Sequence, residues 1–182
     1  MDLFNAIYHR RSTRDFSDAD VSQAAVHELI RAANHAPSAQ NLQPWAFVVI
    51  HGRARLVGYS DRAKAHLLAS LDPSFGLDPR VDQYDNEKVN VFHGADTLIL
   101  ICAKPGSFQP AEDCCLAAHG SGLSSCPVGF ARAWFNRVDV KRELGGPSNY
   151  AAVLPIVLGY AAKIPPETVR HEPEIASWFW DG

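Results

Sequence analysis

The sequence predicts a single domain that mixes α-helices and β-strands, and three observations lead to that prediction. Continuous apolar runs at 45–50, 97–103 and 153–160 each have the length and the β-branched content of a buried strand. Between them lie segments whose apolar residues recur at helical spacing. No internal repeat or break in composition divides the 182 residues. A chain of this length buries roughly 70% of its unfolded surface, so one core can support it.

The first 35 residues are predicted to hold two helices. Asp2 is a suitable N-cap for a short first helix, which leads into an arginine-rich turn at 10–14. Ser17 and Asp18 are the cap candidates for the second helix. That helix should end near His35, because the next proline disfavours a helical residue before it.

Capping residues and spacing predict the later helices. Residues 71–87 are rich in Asp and Pro and are expected to form an exposed excursion. Pro110 suits the first turn of a helix, and Gly120 and Gly122 should end that helix. Three further segments are predicted to be helical: 53–70, 110–118 and 138–144.

Two further features concern the strands. Residues 126–130 are a short extended candidate. Pro155 lies inside the third apolar run, and because proline donates no hydrogen bond, this strand should be incompletely paired on at least one side. The last twenty residues contain three prolines and the aromatic cluster 178–180.

Composition and charge exclude several classes of protein. The formal net charge of −3 and the pI near 6.2 exclude a broadly basic nucleic-acid binder. No apolar run approaches the roughly 18 residues of a membrane span, and the N-terminus lacks the pattern of a secretory signal. The four cysteines form no C-x-x-C pair, so we expect reduced, mostly buried thiols and no metal site. A cytoplasmic protein without nucleic-acid or membrane partners is expected.

Three arginines within five residues are the sharpest local feature. If the first helix continued through them, Arg10 and Arg14 would face the same way and repel each other. A phosphate between them would reverse that repulsion, since the arginine fork donates two hydrogen bonds to phosphate oxygens. Ser12 adds a hydroxyl donor. The alternative is a solvated basic helix end that interacts favourably with the helix dipole.

The loop at 37–44 is the second candidate for a binding role. It carries the hydrogen-bonding side chains of Ser38, Gln40, Asn41 and Gln43 between two prolines. Loops between a helix and a buried strand often hold ligand groups, and a flavin ring would use such amides. A plain turn is the alternative.

Six motifs in a fixed order carry a family resemblance. The chain contains R-R-S-T-R-D-F, A-P-S-A-Q-N-L-Q-P-W, V-F-H-G-A-D-T-L-I-L-I, E-D-C-C-L-A-A, S-C-P-V-G-F-A and V-L-P-I-V-L-G-Y. Over nearly its whole length it resembles the FMN-dependent nitroreductase family. The resemblance implies an α+β, nitroreductase-like fold with a central mixed, mostly antiparallel sheet flanked by helices. It implies a single domain over 1–182, in an intertwined homodimer whose tail from about 163 extends over the partner subunit.

The resemblance also implies an FMN site at the subunit interface. One subunit would hold the phosphate and ribityl chain with Arg10, Arg11, Ser12 and Arg14, and Arg170 would be a further phosphate ligand. The other subunit would approach the flavin ring with Pro37, Ser38, Ala39, Gln40 and Asn41. The backbone of Pro127, Val128 and Gly129 would lie near the reactive edge of the flavin, while Lys88 and Asn90 match a ring-contacting stretch only roughly.

An oxidoreductase is the implied function. It would pass hydride from NAD(P)H through FMN to a nitroaromatic, a quinone or a similar small acceptor. No dedicated acid–base pair is expected, because the cofactor carries the difficult chemistry. The alternatives are a degenerate flavin-binding or regulatory module, and a flavin-cleaving or dehalogenating relative on the same fold.

The chain departs from the family pattern in the helix that begins at E-D-C. That helix reaches the next motif about seven residues early, close to two helical turns or about 10 Å. The faces before and after the deletion can stay in register, but apolar contacts of the core and of the dimer are lost. We expect any weakening to affect the dimer and FMN retention rather than the fold.

Overall fold

The computed structural model describes residues 2–70, 86, 89–106 and 110–180. The strands in these ranges are β1 (Trp45–His51), β2 (Thr97–Ala103), β3 (Ser124–Pro127) and β4 (Ala151–Gly159). The helices are α1 (Leu3–His9), α2 (Gln23–Ala33), α3 (Arg53–Ala69), α4 (Ala111–Gly120), α5 (Arg132–Phe135) and α6 (Val138–Glu143). The predicted α+β class is confirmed.

The strands form one sheet in the order β1-β2-β4-β3, with each neighbouring pair antiparallel. A parallel bridge between Ser12 and Ser125 adds the arginine-rich segment to the outer edge of β3. The prediction of a mixed, mostly antiparallel sheet is therefore confirmed. None of the helices in the described ranges is both long enough and apolar enough to cross a membrane.

Helices cover both faces of the sheet, and β2 contributes to a core on each face. Because side chains alternate along a strand, Ile99 and Ile101 pack with α2 and α4, whereas Leu98 and Leu100 face the opposite way. Phe92 packs with this second group and is fully buried. All seven residues of β2 are buried, which explains the continuous apolar run.

The flanking strands differ from the sequence prediction in burial and in pairing. The run at 45–50 is an edge strand whose buried residues are Trp45 and Ile50, while Val49 is 43% exposed. Pro155 accepts a hydrogen bond from Val128 N at 2.8 Å, just beyond the end of the β3 ladder. The predicted limit on pairing is confirmed, although β4 has a neighbouring strand on both sides.

The second helix begins later than predicted. Its N-cap is Ser22, whose side chain accepts a hydrogen bond from Ala25 N, and not Ser17 or Asp18. The reason is tertiary: Val21 N donates to the side chain of buried Asp96 at 2.8 Å, which holds the preceding residues outside the helix. At the start of α1, Asp2 caps as predicted by accepting from Asn5 N.

Helix α4, which the resemblance predicts to be shorter than its family counterpart, has ten residues and a well-formed end. Gly122 has a φ of +76°, Gly122 N donates to His119 O at 3.1 Å, and Leu123 N donates to Ala118 O at 2.8 Å. These two hydrogen bonds are the pair that closes a helix through a left-handed glycine. The sequence correctly predicted that Gly122 takes part in ending this helix.

Two other predicted segments need correction or lie outside the described residues, and one observed helix was not predicted. The extended segment is Ser124–Pro127, not 126–130, because the chain turns into a 3-10 helix at Gly129–Ala131. Helix α5 was not predicted; its four residues are too few to show a helical period. The excursion predicted at 71–87 falls outside the described residues apart from Asn86, which is exposed.

Candidate functional site

The arginine-rich segment is extended and lies along the outer edge of β3. Helix α1 ends at His9, and Arg10 N closes it by donating to Ala6 O at 3.0 Å. Thr13 N then donates to Ser125 O at 3.0 Å. Because the helix ends at His9, Arg10 and Arg14 are not helical neighbours, and the repulsion expected for a continuing helix does not arise. Pairing with β3 instead fixes the backbone positions from which the arginine side chains extend.

The same strand carries the turn that was predicted to face a flavin. Two residues after Ser125, β3 ends at Pro127, and Val128 N is bound to the Pro155 carbonyl. Gly129 is exposed, and a Cβ built there meets no described atom within 4 Å. The structure thus brings the arginine-rich segment and the 127–129 backbone together, with open space in front of Gly129.

A basic cavity of about 370 Å³ opens beside Arg10. One guanidinium nitrogen of Arg10, Nη1, is buried and has no hydrogen-bond partner among the described residues. A buried donor without an acceptor is costly, and this one carries positive charge. An anion would satisfy it, so the residues present fit the phosphate of FMN. The charged and polar lining includes His9, Arg10, Arg11, His119, Ser125 and Tyr160.

The pKa of His119 reflects the positive charge around this cavity. Burial lowers the pKa of His119, and the nearby charges of Arg10, His9 and Arg11 lower it further. In the same region burial raises the pKa of the Cys115 thiol, and a hydrogen bond with the Ser125 side chain and the charge of Arg10 partly offset that rise. The surroundings therefore disfavour further positive charge and favour an anion.

Arg11 and Arg14 differ from Arg10. Arg11 donates to Tyr8 O at 2.6 Å and to Arg10 O at 3.0 Å, and it forms an ion pair with Glu167 at 3.6 Å. It therefore links α1 to the C-terminal tail. Arg14 is exposed, and its charge lowers the pKa of His93, whose burial is the larger cause of the shift.

The loop at 37–44 lies far from the arginines of the same chain. It leads into β1, whereas the arginine-rich segment borders β3 at the other edge of the sheet. Trp45 lies level with the first residue of β4 and Ser125 lies level with Leu158 near its end, so the two residues are also at opposite ends of the strands. From the strand spacings, the two parts are on the order of 25 Å apart. One flavin cannot contact both within a single chain.

The loop itself is ordered by internal hydrogen bonds. Gln43 N donates to Ser38 Oγ at 3.0 Å, and Gln43 Nε2 donates to Asn41 Oδ1 at 3.1 Å. Gln40 and Asn41 have φ values of 52° and 55°, in the left-handed region. Pro37, Ala39, Gln40 and Asn41 are exposed while Ser38 is half-buried, so the loop presents a fixed polar surface.

Of the remaining predicted residues, neither Arg170 nor Asn90 lines the basic cavity. Arg170 is exposed in the tail and takes part in no hydrogen bond or ion pair among the described residues. Asn90 Oδ1 accepts from Phe92 N at 2.8 Å and so stabilises a turn. Lys88 lies outside the described residues. In the described ranges, no group of three or more His, Cys, Asp and Glu is arranged to hold a metal ion.

Sequence reasoning missed two residues of the cavity, His119 and Ser125. Nε2 of His119 is buried and, like Arg10 Nη1, has no partner among the residues described, whereas the buried Ser125 hydroxyl forms a hydrogen bond with the Cys115 thiol that lowers the pKa of that thiol. Both follow the E-D-C motif closely, but neither has a sequence spacing typical of a binding site. They are recognised only in the folded chain, where they line the same cavity as Arg10 although they lie more than a hundred residues from it in the sequence.

Comparison with known proteins identifies the family. A sequence model described as the Nitroreductase family matches residues 7–160. The chain belongs to the nitroreductase family. An NADH dehydrogenase of Thermus thermophilus is 41% identical over 185 residues, covering 90% of this chain and 88% of the relative. An iodotyrosine dehalogenase 1 homolog of Caenorhabditis elegans is 46% identical over 173 residues, covering 85% of this chain and 53% of the relative.

Solved structures show the same fold. A nitroreductase with bound FMN from Desulfitobacterium hafniense superposes with a TM-score of 0.83 at 23% identity, over 97% of this chain and 98% of that one. The nitroreductase-like fold predicted from the six motifs is therefore confirmed. Membership of this family makes the chain an oxidoreductase.

Proposed function

We propose that this protein is an NAD(P)H-dependent FMN oxidoreductase that reduces a small electron acceptor such as a nitroaromatic or a quinone. The observation that carries the proposal is the unpartnered, buried Nη1 of Arg10, a residue that lines the basic cavity and also a second cavity together with Pro127. FMN carries a phosphate at one end and the flavin ring at the other, so a cationic group and an open backbone turn on the same part of the fold match its two ends. The structural relative from Desulfitobacterium hafniense, a nitroreductase with bound FMN, supports the choice of cofactor.

Arg10 would bind the phosphate, and the exposed backbone at Gly129 would lie beside the ring. When bound, FMN supplies two-electron redox chemistry that amino-acid side chains lack. The protein's own contribution is then position and charge: arginine donors hold the anion, and backbone donors favour negative charge on the ring. Ser12 and Arg14 are proposed to complete this half of the site from the same extended segment.

We propose that the other half of the site comes from a second copy of the chain. The exposed loop with Ala39 and Gln40 is too far from Arg10 of its own chain to share a flavin with it. Leu3 and Phe4 on α1 are each 65% exposed, and Phe179 in the tail is 94% exposed. Exposed apolar side chains in such number are typical of surfaces that associate. A homodimer would cover them and place the loop of one subunit against the arginines of the other.

Reconstitution with FMN tests the proposed function. The purified protein is mixed with FMN, desalted, and titrated anaerobically with NADH and, separately, with NADPH. We expect retained flavin, loss of its visible absorbance with at least one nicotinamide, and recovery of that absorbance when a nitroaromatic or quinone is added. A protein that retains no FMN, or retains FMN that neither nicotinamide reduces, would contradict the proposal and favour a degenerate binding module.

A second candidate acceptor is a halogenated aromatic compound. The specific observation in its favour is the 46% identity to the iodotyrosine dehalogenase homolog of Caenorhabditis elegans. The same reduced protein can distinguish the two reactions. Flavin reoxidation by iodotyrosine with release of iodide, at a rate above that with nitrobenzene or a quinone, would establish dehalogenation in place of nitroreduction.

A further inference from the structure

A different cavity, of about 430 Å³, lies at the end of helix α6. Its lining includes the cationic side chains of Lys141 and Arg142, and none of the described residues that line it is acidic. The loop that follows α6 contributes Gly145 and Ser148. This cavity shares no lining residue with the basic cavity beside Arg10, so it can hold a ligand of its own.

The acidic residues of α6 do not neutralise this lining. Asp139 is paired with Arg137 at 3.0 Å. Glu143 is paired with Arg62 at 2.7 Å, and neither carboxylate belongs to the residues that line the cavity. The side chain of Arg142 is exposed and takes part in no hydrogen bond or ion pair among the described residues. Its guanidinium fork is therefore available to an anion, and such forks bind phosphate oxygens with two hydrogen bonds.

Local hydrogen bonds order the end of α6 and the loop after it. Gly146 N donates to Lys141 O at 3.2 Å, and Gly145 has a φ of +65°, in the left-handed region that closes a helix. The half-buried Lys141 donates from Nζ to Ser148 O at 3.4 Å. An ammonium group has three donors, so two remain for a ligand. The cavity is thus formed by the fold before any ligand binds.

The cavity lies at the same end of the sheet as the loop at 37–44. Lys104 N donates to Pro44 O at 3.0 Å, and Lys104 Nζ lies 5.9 Å from the ring centroid of Tyr150. Tyr150 is two residues after Ser148, which lines the cavity. Pro44 and Tyr150 directly precede β1 and β4, which have one strand between them, so they are on the order of 10 Å apart. A dinucleotide with one end beside this loop can therefore place its other end in the cavity.

The charge of the lining selects between the two nicotinamide nucleotides. NADPH differs from NADH by a phosphate on the 2′-oxygen of its adenosine ribose. In dinucleotide-binding folds, a carboxylate accepts hydrogen bonds from the free ribose hydroxyl of NADH, whereas an arginine accommodates the 2′-phosphate of NADPH. The described lining offers Lys141 and Arg142 and no carboxylate, so its chemistry matches the phosphate.

We propose that Lys141 and Arg142 bind the 2′-phosphate of NADPH, and that this protein uses NADPH in preference to NADH. The inference rests on the proposed function, because it names the nucleotide that supplies the hydride. The nicotinamide end of NADPH would lie beside the loop at 37–44, which is proposed to border the flavin. A preference for NADPH would distinguish this chain from the NADH dehydrogenase of Thermus thermophilus to which it is similar.

Kinetics with both nucleotides and binding of an adenosine fragment test the proposal. FMN-loaded protein is assayed with NADPH and with NADH. Calorimetry measures binding of adenosine 2′,5′-bisphosphate and of AMP, which lacks the 2′-phosphate. The variants are Arg142→Ala and Lys141→Gln, and the control is Arg31→Ala, an exposed arginine on α2 that is paired with Glu28. Circular dichroism confirms that each variant is folded.

We expect the loss to be confined to the phosphorylated nucleotide. A lost hydrogen bond to a charged group weakens binding by roughly 10- to 100-fold, so the KM for NADPH and the Kd for the bisphosphate should rise by this factor in Arg142→Ala. Lys141→Gln should raise both constants in the same direction. In both variants kcat with NADPH, the KM for NADH and the Kd for AMP should stay at the wild-type values, as all constants should in the control.

The outcomes separate this inference from the proposed function. A lower KM for NADPH than for NADH in the wild type, with an NADPH-specific loss in both variants, supports the proposal. Bisphosphate binding that both variants weaken, in a protein whose FMN neither nucleotide reduces, supports the phosphate site while the proposed function fails. Equal KM values for the two nucleotides in the wild type, or equal losses for both in the variants, would overturn the inference and leave the proposed function in place.

Discussion

The ring of Phe16 packs directly against the backbone of Gly159: a Cβ at residue 159 would lie 2.7 Å from Phe16 Cδ1. Phe16 also bridges to Ala161, so this contact holds the chain that follows the arginine-rich segment against the end of β4. We expect Gly159→Ala to lower the free energy of unfolding by about 1–3 kcal/mol, because the aromatic ring must move within a packed core. Chemical denaturation measures the change.

Gly58→Ala is the matched control for this substitution. Gly58 lies inside α3, and a Cβ there meets no described atom within 4 Å. Alanine should be neutral or stabilising at this position by up to about 1 kcal/mol. Equal effects at the two glycines would show that the Phe16 contact does not constrain residue 159.

Arg10→Ala should weaken FMN binding without unfolding the chain. Removing a charged donor from an anion typically costs about 1.5–3 kcal/mol, or roughly 10- to 100-fold in Kd. Flavin fluorescence quenching gives the affinity, and a thermal melt checks the fold. Arg31→Ala, an exposed arginine on α2 paired with Glu28, serves as the control. Full FMN occupancy in the Arg10 variant would remove the phosphate assignment.

A surface clamp joins α3 to α5 and α6. Arg62 donates two hydrogen bonds to Glu143, at 2.9 and 2.7 Å, and its guanidinium lies 5.2 Å from the ring centroid of Trp134. The Arg62 hydrogen bonds hold the pKa of the Glu143 carboxyl below its ordinary value. Both side chains are about 40% exposed, so we expect the ion pair to contribute less than about 1 kcal/mol.

The pH dependence of that contribution follows from the direction of the shift. A carboxyl with a lowered pKa stabilises the fold above its unfolded pKa of about 4.3 and loses the effect as pH falls through the folded value. The difference in stability between the wild type and Glu143→Gln should therefore be present at pH 7, shrink as the pH falls below about 4.3, and vanish once the pH lies below the lowered pKa of the folded state. A difference that persists unchanged at low pH would show that the ion pair is not its source.

The cysteines should be unreactive in the folded protein. All four thiols are free and buried, which confirms the sequence prediction. Burial is the main cause that raises the pKa of Cys114, to about 12. Because the thiolate is the reactive form, a thiol reagent at pH 8 should modify all four only after denaturant is added. Rapid modification of the native protein would contradict this burial.

Local pattern was sufficient for much of the fold. The runs at 97–103 and 153–160 became strands with nearly the predicted bounds, because a buried strand needs a continuous apolar stretch. Asp2 and Gly122 were recognised because their capping roles depend only on close neighbours. The same reasoning failed at Ser17 and Asp18, since Asp96, far along the chain, determines where α2 begins.

The candidate site was predictable only in part, for the same reason. Arg10 was selected first from the cluster of three arginines and the 127–129 turn through a family motif, and in the structure Arg10 and Pro127 line one cavity. His119 and Ser125 carry no local signal; their relevance depends on the end of α4 meeting the arginine-rich segment. The position of Ala39 and its loop relative to Arg10 is a property of the proposed dimer rather than of one chain.

Subunit complementation tests most directly the central claim that each FMN is held by two chains. Arg10→Ala removes the phosphate donor, and Ala39→Trp fills the space in front of the exposed loop, so neither homodimer should retain FMN. The two variants are co-expressed with different tags, and the mixed dimer is purified through both. One of its two sites then combines an intact Arg10 with an intact loop. We predict one FMN for each mixed dimer; no FMN, or no dimer, would contradict the account.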